Sequence, residues 1–379
     1  MKIVYICYSS IPSNVASSIH IMKMCNAFAS NGHEVILLMP IQKNDKYVNK
    51  VSDIYKFYDV KNIFKIQQIP VRTFPLKLLT KRINYNLLAL KYINKIKPDL
   101  VYGRSVIGCA LAALFNYKVI IELHNKLPHQ RDRVFFHLLL KSKNLEKIIV
   151  VTHKLKEYYI NTYKINGDKI IVCPNGADEV TNSEKNDTLR KRKEVLQVGY
   201  VGNLYKGKGM EIIVEVASKM PDVDFHIIGG TDKEIRYWKG YIKSTNIYFH
   251  GFIDQKKLAL YINALDICLV PNQKIVVSIV GDIDDKYITK RNYGDITCPL
   301  KIFQYMAHKK PIIASDLPVI REFLNENNAI LVPPDDIDAW VKAIYKLKDE
   351  TLRRKLGSNA YEDFIGNYTW KKRADKVLQ

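Results

Sequence analysis

Short apolar runs alternate along this chain with longer stretches in which apolar residues recur every three or four positions. The runs read as buried strands and the stretches as amphipathic helices. In the first half the pattern predicts strands at Lys2–Tyr8, Glu34–Met39, Leu100–Tyr102, Val119–Leu123, Lys147–Val151 and Lys169–Cys173. Helices are expected at Ile19–Asn31, stopped by Asn31-Gly32, at Arg82–Ile96 and at Val134–Leu145. A polar stretch, Asp178–Lys193, then interrupts the alternation. It restarts with Val195–Val201, Glu211–Lys219, Asp224–Ile228, Ile247–His250, Leu258–Leu265 and Ile267–Val270, and continues with Lys301–Ala307, Pro311–Ala314, Ala329–Val332 and Asp336–Leu347. Strands separated by helices imply parallel sheets and an α/β fold. The expected organisation is a Rossmann-like domain over 1–178, a linker over 179–193, a second Rossmann-like domain over 194–368, and an amphipathic helix over 369–379 packing back on the first domain. The two parallel sheets are expected to face an interdomain cleft.

A chain of 379 residues is long enough for two cores. With 47% apolar and 26% charged residues it is globular rather than disordered. The six cysteines form no Cys-x-x-Cys pair and mostly sit in apolar runs, which argues for reduced, buried thiols. The longest apolar runs fall short of the roughly 18–20 residues a membrane span needs. Met1–Tyr8 lacks the features of a signal peptide, so a cytoplasmic location is expected. Charge is uneven. Residues 1–175 hold 27 Lys/Arg against 10 Asp/Glu, whereas residues 176–379 hold 32 against 28.

Three segments carry candidate chemistry. The strand ending at Val201 runs into Gly202-Asn203-Leu204-Tyr205-Lys206-Gly207-Lys208-Gly209 and then a helix. Such a turn exposes backbone N–H groups to a phosphate at the helix's positive end, and Lys208 adds a full charge. A flexible turn with solvated lysines fits the same spacing. The second segment begins Cys298-Pro299-Leu300-Lys301. Pro299 suits the first helical position, which would leave the N–H groups of Leu300, Lys301 and Ile302 free for an anion. Gln304, one turn on, can bridge vicinal hydroxyls. A plain buried helix with a proline start fits too. The third is Glu122-Leu123-His124-Asn125, polar groups at a strand's C-terminal end, where open α/β sheets place ligands. A purely structural histidine would fit that position as well.

Together these residues resemble the glycosyltransferase family 4 (group 1) retaining enzymes of GT-B fold. In the first half the resemblance runs through Ser13–Ser18, Asn31-Gly32-His33-Glu34-Val35, Glu122-Leu123-His124 and Val172–Asp178. In the second it runs through Gly199–Tyr205, Lys206–Gly209, Phe225–Gly230, His250-Gly251-Phe252, Pro299–Lys301, Gln304–Ala307 and Pro311–Ser315. It implies a basic acceptor-side first domain and a donor-side second domain. It implies donor-diphosphate contacts at Gly202, Asn203, Lys208, Pro299, Leu300 and Lys301, and ribose or base contacts at Gln304, Gly229, Gly251 and Phe252. His124 and Lys208 become the catalytic candidates, and Ser13, Asn14, Ser17 and Ser18 a loop closing near the acceptor. Three departures stand out: Asn203 where the family has arginine, Gln304 where it has glutamate, and Ile296 where a partner glutamate is expected. The loop Asn272–Thr297 is also long for its place.

The implied reaction displaces a nucleoside diphosphate from an anomeric carbon by front-face attack with retention. Oriented N–H groups and lysine can stabilise that leaving group, so no metal or cofactor is called for. The expected partners are a nucleotide-sugar donor and a glycan or lipid-linked acceptor, in surface polysaccharide synthesis. Lys126–Lys143 interleaves basic residues with Phe135, Phe136 and Leu138–Leu140, as an amphipathic helix on an anionic inner-leaflet surface would. A solvated helix with one core-facing side has the same pattern. Nucleic-acid binding would also suit a net charge of +21, but no nucleic-acid-binding motif is present. The same fold could serve a non-catalytic GT-B partner protein or a GT-B sugar-nucleotide epimerase. The glycine fingerprint of a dehydrogenase is missing.

Overall fold

The computed structural model describes residues 1–41, 51–71, 80–127, 129–180, 186–189, 192, 194–276 and 294–379. The chain divides into two compact units, Met1–Pro174 with Trp370–Gln379, and Asn175–Thr369.

In the first unit β1 (Lys2–Ile6), β2 (Glu34–Ile41), β3 (Lys65–Pro70), β4 (Leu100–Gly103), β5 (Val119–Leu123), β6 (Leu145–Val150) and β7 (Ile170–Val172) pair in parallel in the order β3-β2-β1-β4-β5-β6-β7. The connecting helices are α1 (Ala16–Ser30), α2 (Ile54–Phe57), α3 (Lys81–Ile96), α4 (Val106–Leu114), α5 (Gln130–Leu140) and α6 (His153–Tyr163). Crossover helices cover both faces of such a sheet, which is why Ile3–Ile6, Val35–Met39 and Val119–Leu123 are continuous apolar runs rather than alternating ones. Glu122 is the exception inside that buried strand.

In the second unit β8 (Leu196–Val201), β9 (Val223–Ile228), β10 (Ile247–Gly251), β11 (Ile267–Val270), β12 (Ile312–Ser315) and β13 (Ile330–Val332) form a parallel sheet in the order β10-β9-β8-β11-β12-β13. Its helices are α7 (Met210–Lys219), α8 (Asp232–Lys239), α9 (Gln255–Ala264), α10 (Leu300–Ala307), α11 (Ile337–Lys346) and α12 (Glu350–Asn367). Its core joins Val198, Tyr200, Phe225, Ile227, Trp238 and Trp340. Each sheet winds outward from its first strand and then jumps to the other side of it. The jumps fall between β1 and β4 and between β8 and β11, and such switch points are where open α/β sheets hold ligands.

Several boundaries differ from the sequence reading. Residues 175–178, expected in the first domain, belong to the second unit. The backbone N–H of Asn175 donates to Cys298 Sγ (3.2 Å), and its side chain donates to the Cys298 carbonyl (2.7 Å). The described part of the 179–193 stretch packs on the second unit as well, because Arg192 pairs with the buried Asp224 and Asn186 reaches the Leu260 carbonyl. The last helix, α13 (Trp370–Leu378), lies with the first unit against α1. Helix α1 starts at Ala16 rather than Ile19, so Ser17 and Ser18 are helical rather than part of a loop. Helix α5 spans Gln130–Leu140, and Leu145, expected to end that helix, opens β6. Of the long loop Asn272–Thr297, residues 277–293 lie outside the described residues.

Candidate active site

The glycine-rich turn of the second unit leaves β8 on one side of the switch point, and α10 follows β11 on the other. Gly202 has φ +148°, and its N–H donates to the Ile228 carbonyl (2.9 Å). Gly229 has φ +116°, and a Cβ there would stand 2.2 Å from the Gly202 carbonyl oxygen. Only glycine allows this approach without strain. The Gly229 N–H donates to the Gly251 carbonyl (2.7 Å), so Gly202, Gly229 and Gly251 are brought together at the ends of β8, β9 and β10. Phe252 follows directly and is half-buried. The turn after Gly202 is braced by the Gly207 N–H donating to Glu211 Oε1 (2.7 Å) and by the Gln273 N–H on the Gly207 carbonyl (2.9 Å). Asn203 is engaged through its backbone carbonyl, which accepts from the Tyr200 hydroxyl (2.7 Å).

Two lysines, Lys301 and Lys208, meet here. Lys301 is buried, and among the described residues its Nζ has no hydrogen-bond partner. It lies 3.4 Å from the centroid of the Tyr200 ring. A Cβ at Gly202 would stand 3.0 Å from that Nζ. Burial, and then the nearby charge of Lys208, push the Lys301 pKa well below the usual lysine range. Lys208 is half-buried, and desolvation pulls its pKa down to about 8. Among the described residues neither amine has an ion-pair partner, and a pair of desolvated amines left so costs folding free energy unless an anion joins them.

Helix starts add to this field. α7 begins after Gly209 and α10 after Pro299, neither with a side-chain cap. Pro299 occupies the N-cap with extended backbone (φ −72°, ψ 120°), one position before the expected one, so Leu300 and Lys301 are the first two helical residues. Their N–H groups have no acceptor within the helix. The N–H of Ile302, expected to be free, instead donates to the Pro299 carbonyl (3.3 Å). Gln304 sits one turn on and is half-buried.

In the first unit, polar side chains gather around Glu122 near the ends of β1, β4 and β5. Glu122 Oε1 lies 2.6 Å from His124 Nε2, 2.8 Å from His20 Nε2 and 2.6 Å from Arg373 Nη2, and its other oxygen accepts from the Tyr102 hydroxyl. Burial alone would raise the Glu122 pKa; the Arg373 guanidinium and the two histidines overcome this and hold it well below the carboxylate range. Burial lowers both imidazoles, His20 to about 4, and the neighbouring arginines add to the effect. His20, Glu122 and His124 offer a donor set that a divalent cation could use, with ligand atoms within 4.8 Å of one another. Arg373 already places a cation against that carboxylate. His124 keeps 14% of its side chain exposed, which makes it the part of the cluster that solutes can reach.

The Ser13–Ser18 segment is divided. Ser13 and Ser18 are buried and spend their hydroxyls inside the segment: Ser13 Oγ donates to the Ser10 carbonyl (2.8 Å), and Ser18 Oγ donates to the Val15 carbonyl (2.8 Å). Tyr58 clamps the Ser13 backbone from both sides. The two serines shape the turn, which leaves Asn14 and Ser17 as its half-exposed polar residues. Sequence reasoning missed His20, Tyr102, Tyr200 and Arg373. Arg373 had a signal, because Trp370, Arg373, Ala374 and Val377 follow the i, i+3, i+4, i+7 spacing of a buried helix face.

Two family descriptions match the chain: "Glycosyl transferases group 1" over residues 196–350 and "Glycosyltransferase Family 4" over residues 17–180. An uncharacterized glycosyltransferase of Methanocaldococcus jannaschii is 23% identical over 346 residues, covering 84% of this chain and 79% of its own. The O-antigen chain mannosyltransferase RfbU of Salmonella typhimurium is 23% identical over 260 residues, covering 62% and 65%. Among solved structures, Anabaena HepE in complex with UDP-glucose superposes with a TM-score of 0.73 at 15% identity, covering 100% of this chain and 98% of that one. With both halves matched in order and a parallel α/β sheet in each, this chain belongs to the group 1, family 4 glycosyltransferases of GT-B fold.

Proposed function

We propose that the protein transfers a glycosyl group, a hexosyl or a close relative, from a nucleotide-sugar to a glycan or lipid-linked acceptor in cell-surface polysaccharide synthesis. The observation that carries this is the desolvated Lys301, without a hydrogen-bond partner among the described residues, beside Lys208 at the switch point of the second sheet. A diphosphate is the anion that matches two amines and two bare helix starts. Gln304 and the Gly229, Gly251 and Phe252 edge would take the ribose and base, and Asn14 and Ser17 would approach the acceptor. Lysines and N–H dipoles supply the charge stabilisation that a cation provides elsewhere, so transfer proceeds without a metal, by front-face displacement with retention. The test is a thermal-shift screen of the purified chain against UDP-, GDP-, ADP- and CMP-sugars with EDTA present, followed by NMR of the anomeric product. Stabilisation by one nucleotide class and a retained anomer are expected. No stabilisation by any donor would overturn the reading.

The acceptor's address is the basic first half. Within Lys126–Lys143, α5 buries Phe136 and Leu139 and exposes Val134 and Leu138; Leu87 of α3, Leu114 of α4 and Phe115 just after it are exposed as well. Among the described residues no helix is long and apolar enough to cross a membrane. An exposed apolar set among lysines suits peripheral attachment to an anionic leaflet. Co-sedimentation with phosphatidylglycerol vesicles should exceed that with phosphatidylcholine vesicles and weaken with salt. Equal binding to both vesicle types would remove the idea.

A further inference from the structure

Glu122 is the meeting point of four elements of the first unit, with Tyr102 reaching it from β4. Its carboxylate stands on β5, His20 comes from α1, and Arg373 comes from α13. Arg373 is held by more than the carboxylate. Its Nε donates to the Pro174 carbonyl (2.7 Å) and its Nη2 to the Cys173 carbonyl (3.1 Å), with Nη1 3.1 Å from Met24 Sδ. The side chain is 2% exposed. A guanidinium bonded along several edges has no rotational freedom, so the oxygen it touches is fixed too. His124 Nε2 meets that same oxygen, and its ring packs edge-on against His20 with centroids 4.6 Å apart. His20 in turn packs edge-on against Trp370 of α13, with centroids 5.2 Å apart.

Granted the transfer reading above, we infer that Arg373 is a positioning residue for His124: through Glu122 Oε1 it fixes the ring's orientation and tautomer, so the C-terminal helix completes the histidine site of the first unit. An ionised carboxylate only accepts, so His124 Nε2 carries the proton and Nδ1 is left as an acceptor. The charged and titratable groups acting on this ring are Arg104, Glu122 and His20, and Arg373 reaches it through the shared Glu122 Oε1. Removing Arg373 leaves Glu122 as an unopposed anion against His20 and His124. The imidazole then takes up a proton, and Nδ1 stops being an acceptor.

The test uses the full chain with 15N-labelled histidine, and long-range 1H–15N spectra between pH 6 and 8.5. The His124 signals among the nine histidines are assigned by their loss in His124→Gln. In the wild type His124 should hold the Nε2–H tautomer across the range. In Arg373→Met its two nitrogen shifts should converge as the ring protonates, and kcat for transfer should fall about tenfold or more with donor KM little changed. Arg373→Lys should restore the tautomer. Asp375→Ala, which removes the α13 side chain that accepts from Asn31 (2.5 Å) but not the contact with Glu122, should keep it. His124 signals in Arg373→Met that overlay the wild type would overturn the inference. Should Arg373→Met lack a cooperative thermal transition, Arg373→Gln, whose amide nitrogen stands in the place of the Nε that donates to the Pro174 carbonyl, decides on the same readout. The spectra need no donor, so a protein that shows the tautomer effect yet binds no nucleotide-sugar sinks the transfer reading and leaves this one standing.

Discussion

Lys301→Met is expected to cut sugar transfer by about 10²–10³-fold, the usual effect of removing one preorganised donor from a developing anion, while making the folded protein more stable. The two effects have one cause. The Lys301 amine is buried without a hydrogen-bond partner among the described residues. Replacing an unsatisfied buried polar group by an apolar one of similar length should raise the unfolding free energy by about 1–2 kcal/mol. A residue kept only for packing over Tyr200 would show the reverse, with little change in turnover and lower stability. Lys208→Ala should lower transfer to a similar degree with a smaller gain in stability, because Lys208 is only half-buried. Lys219→Ala, on the exposed side of α7 where the lysine pairs with Asp338, should leave turnover within experimental error. Initial rates with the donor chosen by the thermal-shift screen, together with urea midpoints, check all three variants. Wild-type turnover in Lys301→Met would remove the diphosphate site.

Much of the fold is legible because parallel strands under two helical layers are apolar along their whole length. Runs such as Ile3–Cys7 and Val119–Ile121 cannot be read as anything amphipathic. What escaped has physical reasons. α4 is apolar on nearly every face, since seven of its nine residues are buried, so it shows no periodicity. β3 lies at the sheet edge, with Lys65 and Pro70 exposed, and reads as a polar segment. In the site, the lysines and glycines of the β8–α7 turn are local in sequence and could be found there. The Glu122 cluster is not local. Glu122 and Arg373 are 251 residues apart, and only the fold reveals that an arginine on the last helix answers a carboxylate on the fifth strand. The Ser13–Ser18 segment shows the opposite failure. Its polar residues look available in sequence, but Ser13 and Ser18 are buried and spend their hydroxyl protons on the Ser10 and Val15 carbonyls.

The same desolvation that makes the two lysines costly in the free protein should make donor binding pH-dependent. Lys208 loses its proton near pH 8 in the free protein, and Lys301 titrates well below an ordinary lysine. A bound diphosphate favours the charged form of both and raises their pKa values. The diphosphate of a nucleotide-sugar has no ionisation of its own near neutrality, so any proton taken up must reach the protein. The other ionisable groups acting here are Glu211 and Glu234, and the tyrosines Tyr200, Tyr205 and Tyr305 that burial pushes upward, so none of the tyrosines ionises in the same range. The sign follows. Below its free-state pKa a lysine is charged before and after binding and contributes no pH dependence. Above that value, up to its pKa in the complex, each lysine must take up a proton, and the association constant falls by about tenfold per pH unit per lysine. The slope of log affinity against pH should therefore steepen above pH 8, where Lys208 joins Lys301. Calorimetry in two buffers of different ionisation enthalpy at pH 8.5 should show net proton uptake, reduced in Lys208→Ala. Binding that is flat from pH 7 to 9.5 with no proton uptake would mean that both amines are already charged, and that a bound diphosphate does not set their state.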